Sequence, residues 1–152
     1  MQEVWEQSND ESTLVENFMQ LRNQHPHSSR ASFELANALD FCGREADAIP
    51  YYEEAIRAGG LSHAFHVYSL VQLGSSLRNV GRIKDAIDLL TKTEHDYPEY
   101  WAVSLFLALA LNSAGRPADA LKTVMRATLE HGRAEDLDRY RRALTNYIDE
   151  IA

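Results

Sequence analysis

Cysteine is nearly absent: Cys42 stands alone in 152 residues, so no internal disulfide can form, and a reducing, cytoplasmic setting is the default expectation. Basic residues are few, 15 against 23 acidic ones, for a net charge of −8 and a pI near 5.2. That balance argues against nucleic acid as a partner, because such binders usually carry a basic field or stripe. No uncharged apolar run approaches the roughly 18 residues of a membrane-spanning helix. The opening MQEVWEQSNDES is polar and acidic, so neither a membrane partner nor a secretory leader is expected. A phosphate-cradling loop is missing too, since the pair Gly59-Gly60 lacks a Gly-Lys-Ser/Thr continuation.

What is present fits a soluble globular protein, 45% apolar and 25% charged, of a length suited to one ordinary domain. Its most informative stretch is 70–98, LVQLGSSLRNVGRIKDAIDLLTKTEHDYP. Leu70, Leu73 and Leu77 recur at helical spacing and make one apolar stripe. Gly74 lets a partner helix approach closely, and Gly81 can end the helix with a positive φ. Ala86 and Leu90 begin the apolar face of a second, antiparallel helix, which Pro98 stops. This order of residues resembles the tetratricopeptide repeat, a two-helix unit of about 34 residues. The resemblance implies an all-α fold, an α-α superhelix or solenoid of antiparallel helix pairs.

The unit recurs. Leu35, Ala36 and Leu39 lead to Gly43, then Ala48, Tyr52 and Ala55; Leu107, Ala108 and Leu111 lead to Gly115, then Ala120, Val124 and Ala127. From Gly81 to Gly115 is 115 − 81 = 34 residues, whereas from Gly43 to Gly81 is 81 − 43 = 38. Four extra residues are about one helical turn, so one continuous helix over 63–80, longer than 30–42, is expected. The resulting organisation is a single domain over 1–152: a leading half-repeat at 9–28, repeats at 29–62, 63–100 and 101–134, and a capping helix at 135–152. Residues 1–8 are expected to form a frayed cap, with Asn9 in the glycine position. The capping helix should present Leu137, Tyr140, Leu144, Tyr147 and Ile148 as its apolar stripe. In length and in the extended second repeat the chain is similar to small bacterial tetratricopeptide proteins of the group-5 type.

In this family the first helix of each repeat lines a concave groove, which places function on the face opposite each core stripe. The resemblance thus implies a protein-binding surface that takes a peptide or helix from a partner, contributed by Arg30, Phe33, Asn37, Asp40 and Phe41, by Tyr68, Ser75, Arg78 and Asn79, and by Leu105 and Leu109. Asn37, Tyr68 and Arg78 are expected at its polar centre, with Phe33 and Phe41 as walls. Some relatives clamp an acidic C-terminus with Lys and Asn; of the matching positions only Asn37 fits, so that activity does not carry over. The run WAVSLFLALAL at 101–111 is apolar on every side, so Leu105 and Leu109 call for a cover. The C-terminal helix folding back is one candidate, and a second copy in a homodimer is another.

No catalytic, cofactor or metal site is expected. His63 and His66 lie one turn apart without a third ligand at helical spacing, Cys42 lacks a nearby base, and Asp10 with Glu11 reads as first-turn charge at a helix N-terminus.

Overall fold

The computed structural model describes residues 11–132 and 135–151, and every regular element among them is a helix. These are α1 Glu11–Gln24, α2 Ser29–Phe41, α3 Glu45–Ala58, α4 His63–Asn79, α5 Ile83–Asp96, α6 Ala102–Ser113, α7 Pro117–His131 and α8 Glu135–Glu150. The expectations for residues 1–8, Asn9 and Asp10, and for the side chains of Leu137, Tyr140 and Tyr147, lie outside the described residues.

Turn chemistry sets the helix ends. After α2 the chain turns at Gly43 with φ 68°, while Arg44 N–H donates to Leu39 O at 2.9 Å and Gly43 N–H to Asp40 O at 3.0 Å. The same pair of bonds closes α4 at Gly81 (φ 84°) and α6 at Gly115 (φ 72°). This is the Schellman arrangement, which satisfies the last carbonyls of a helix and requires the left-handed backbone that glycine adopts without strain. At the other ends, Ser28 Oγ accepts from Ala31 N–H at 3.2 Å to cap α2, and Ser62 Oγ accepts from Phe65 N–H at 3.4 Å to cap α4. Pro117 opens α7, where a missing N–H matters least. The α4 helix runs unbroken for 17 residues against 13 in α2, the extra turn that the glycine interval predicts.

The chain divides into two compact units between Arg82 and Ile83. In the N-terminal unit each helix packs on the next, and α2 also touches α4. Phe18, Leu35, Leu39, Tyr52 and Val67 are fully buried there, and Ala36, Ala48 and Ala55 have no exposed surface. Small residues at such crossings let helix axes approach closely. An ion pair from Arg22 to Glu54 at 2.9 Å joins α1 to α3.

In the C-terminal unit α5 packs on α6, α6 on α7, and α7 on α8. Ala86, Leu90, Val103 and Ala110 have no exposed surface, and α8 adds Ile148, 2% exposed, to this core. Among the described residues α8 makes its helix contacts with α7 and none with α6. Of the two covers considered for Leu105 and Leu109, the fold-back of the C-terminal helix is therefore not what the described residues show. α8 packs on its sequence neighbour α7, and Leu109 is 47% exposed and Leu105 half-buried.

Candidate functional site

On α2, positions 37, 40 and 41 follow the i, i+3, i+4 spacing of one helical face; on α4, positions 72, 75 and 79 do the same over two turns. Contact between the two helices brings these faces together. Asn37, Asp40 and Phe41 of α2, Glu45 at the start of α3, and Gln72, Ser75 and Asn79 of α4 line an open cleft of about 390 Å³.

The floor of the cleft is anchored in the core. Buried Tyr52 donates its hydroxyl to Asn37 Oδ1 at 2.8 Å and lies 3.5 Å from Asp40 Oδ2. Ser76 Oγ donates to Asp40 Oδ1 at 3.1 Å. Burial raises the Asp40 pKa above its ordinary 3.8; the Ser76 hydrogen bond opposes that rise, and the neighbouring Glu45 charge adds to it. The Tyr52 phenol is pushed upward as well, first by burial and then by the Asp40 charge. Along the rim, Arg78 donates to Asn79 Oδ1 at 2.8 Å, and Asn79 Nδ2 donates to Glu45 Oε1 at 3.1 Å. Phe41, 70% exposed, stands at the edge of this polar ring.

A second, aromatic cluster forms around the first turns of α2 and α4. The Arg30 guanidinium lies 3.5 Å from the centre of the Phe65 ring and donates through Nε to Glu34 at 2.6 Å. Phe65 meets Phe33 edge-on at 5.5 Å and Tyr68 edge-on at 5.8 Å, and Phe33 also faces Tyr52 at 6.2 Å.

The structure thus brings Asn37, Asp40, Phe41, Ser75 and Asn79 to one cleft and puts Arg78 at its rim. It separates the others. Phe33 is 3% exposed, so the expectation that it walls the groove is corrected: Phe65 and Tyr52 cover it, and it serves the core. Tyr68 is 47% exposed, yet it lies 78 − 68 = 10 residues from Arg78 on α4, about 15 Å along the axis. The expected polar centre of Asn37, Tyr68 and Arg78 therefore divides in two, and Arg30 rather than Arg78 stacks on an aromatic ring. Leu105 and Leu109 lie on α6 in the other unit. Glu45 and Gln72 were not anticipated. Gln72 was legible, one turn before Ser75 on the same face; Glu45 was not, because its place depends on how α3 leaves the turn.

Among the described residues no three His, Cys, Asp or Glu side chains gather as metal ligands, and no helix is long and apolar enough to cross a membrane.

Residues 29–151 match the model of the family described as Tetratrico peptide repeat, in its group-5 form. Among solved structures, a crystal structure of MamA protein aligns with a TM-score of 0.66 at 18% identity, covering 82% of this chain and 69% of the other. A second crystal structure of MamA aligns with a TM-score of 0.65 at 18% identity, covering 93% and 86%. No curated protein matches. At these identities the structural likeness speaks to fold, and it agrees with the helix pairs described above.

Proposed function

The chain belongs to the tetratricopeptide-repeat family, and from that premise we propose that it is a non-catalytic interaction module whose cleft between α2 and α4 receives a peptide or helix of another protein. The observation that carries this reading is Phe41, 70% exposed beside six polar side chains in a cleft open to solvent. An exposed ring offers apolar area to bury, and fixed amides and hydroxyls around it can hold a partner in register.

Peptides selected on the full chain from a random-sequence library provide the test. Phe41→Ala and Gln72→Ala should each weaken the selected peptides by about 1–3 kcal/mol with thermal midpoints nearly unchanged. Equal affinity for wild type and both variants would remove the cleft from consideration. Asn37→Ala is less suited to this purpose, because Asn37 also accepts the hydroxyl of buried Tyr52.

Self-association is a second reading, favoured by Leu109, Trp101 and Leu121, all about half exposed in the C-terminal unit. Light scattering decides it: a molar mass of one chain at every concentration rules out the homodimer, and a tight dimer lost in Leu109→Glu supports it.

A further inference from the structure

The charge of the cleft narrows the occupant further. Its lining holds two carboxylates, Asp40 and Glu45, and no lysine or arginine. Among the described residues neither carboxylate joins an ion pair; Asp40 accepts from Ser76 and lies 3.5 Å from the Tyr52 hydroxyl, and Glu45 accepts from Asn79. The cation at the rim, Arg78, donates to the Asn79 amide instead. Neutral donors stabilise a carboxylate but leave its charge uncompensated, and a partly dehydrated anion attracts a cation more strongly than an exposed one does. Exposed Phe41 adds an aromatic face, against which the alkyl stem of a lysine or the plane of an arginine packs favourably.

We propose that the cleft recognises an extended segment of a partner protein bearing a lysine or arginine, with the cation between Asp40 and Glu45 and its stem against Phe41. This rests on the cleft being a peptide site, as argued above. The volume of about 390 Å³ falls in the range of ligand sites, enough for one long side chain with adjoining main chain. The main chain has partners waiting. Because Asn37 Oδ1 takes the Tyr52 hydroxyl, the N–H donors of that amide remain for a peptide carbonyl, and Gln72 and Ser75 offer both a donor and an acceptor. The proton affinity of Asp40 is raised chiefly by burial, and the Glu45 charge adds to it; a cation bound between the two carboxylates would offset that second contribution. An acidic segment would meet the two carboxylates with its own charge, and a neutral one would leave them unanswered.

The experiment is selection from a random-peptide library on the full chain, followed by fluorescence anisotropy with the enriched peptides. A lysine or arginine should recur at one position, and its replacement by glutamine should weaken binding about tenfold or more. Glu45→Gln should reduce that preference severalfold, leaving only Asp40 opposite the cation, while the glutamine peptide binds both proteins alike. Asp40→Asn should act in the same direction, but it also touches the Tyr52 network, so Glu45→Gln is the deciding variant. Two failures are distinguishable. Enriched peptides that lack a basic residue, respond to Phe41→Ala and ignore Glu45→Gln overturn the cation preference and leave the cleft standing. A library that yields no binder sensitive to Phe41→Ala or Gln72→Ala overturns the cleft itself.

Discussion

Asp40 shows how a single side chain joins the core to the cleft. It touches Ser76 and Tyr52 on the inner side and lines the cleft on the outer side. Its pKa is raised in the folded chain, chiefly by burial, so the folded state binds this proton more tightly than the unfolded state does. The resulting destabilisation is absent below the ordinary value of 3.8, grows as pH rises through the folded pKa, and is complete above it. In Asp40→Asn this titration is gone. The difference in thermal midpoint between wild type and Asp40→Asn should therefore shift in favour of wild type as pH falls from about 7 toward 4. A difference that stays constant over that interval, or moves the other way, would contradict the assigned direction.

At the scale of the element, the helix ends carry a recurring pattern. Gly-Arg-x-x-Asp-Ala occurs at 43–48, 81–86 and 115–120, and in each case the glycine has positive φ and the arginine N–H closes the turn. Arg44 pairs with Asp47 at 2.7 Å and Arg116 with Asp119 at 2.7 Å. These pairs are exposed and contribute little, so the glycine is the element of the pattern that matters. A Cβ placed on Gly81 meets nothing within 4 Å, which isolates the backbone effect from crowding. Gly81→Ala should destabilise the chain by about 1–2 kcal/mol, and Gly81→Asn by less, since asparagine tolerates the left-handed region. Urea denaturation of the two variants checks the order; equal midpoints would mean that φ is not the constraint.

For the molecule as a whole, the relevant quantity is the net charge of −8. Such a chain repels acidic partners and speeds encounter with basic ones, an effect that salt screens over roughly 8 Å at physiological ionic strength. If the cleft takes a basic segment, the association rate of an enriched peptide should fall as sodium chloride rises from about 50 to about 500 mM, with a smaller change in dissociation rate. Stopped-flow mixing would show this, and an association rate that is flat in salt would count against electrostatic recognition.

The sequence by itself determined the helical class, the repeat length and the helix ends. Those features are local: an apolar residue every three or four positions makes a helix face, and glycine permits the positive-φ turn that ends it. The additional turn of α4 followed from counting between glycines. Tertiary structure decided which of the residues off the core stripe would remain accessible. Phe33 and Phe41 lie only 41 − 33 = 8 residues apart on one helix, yet Phe65 and Tyr52 cover the first, whereas the second projects at the end of α2 and stays exposed. Helical period gives an angle around an axis and says nothing of what stands opposite it. For the same reason the pairing of Arg30 with Phe65 and the entry of Glu45 into the cleft became visible only once the helices were in place. Each depends on contacts between residues far apart in the chain, which no window of sequence contains.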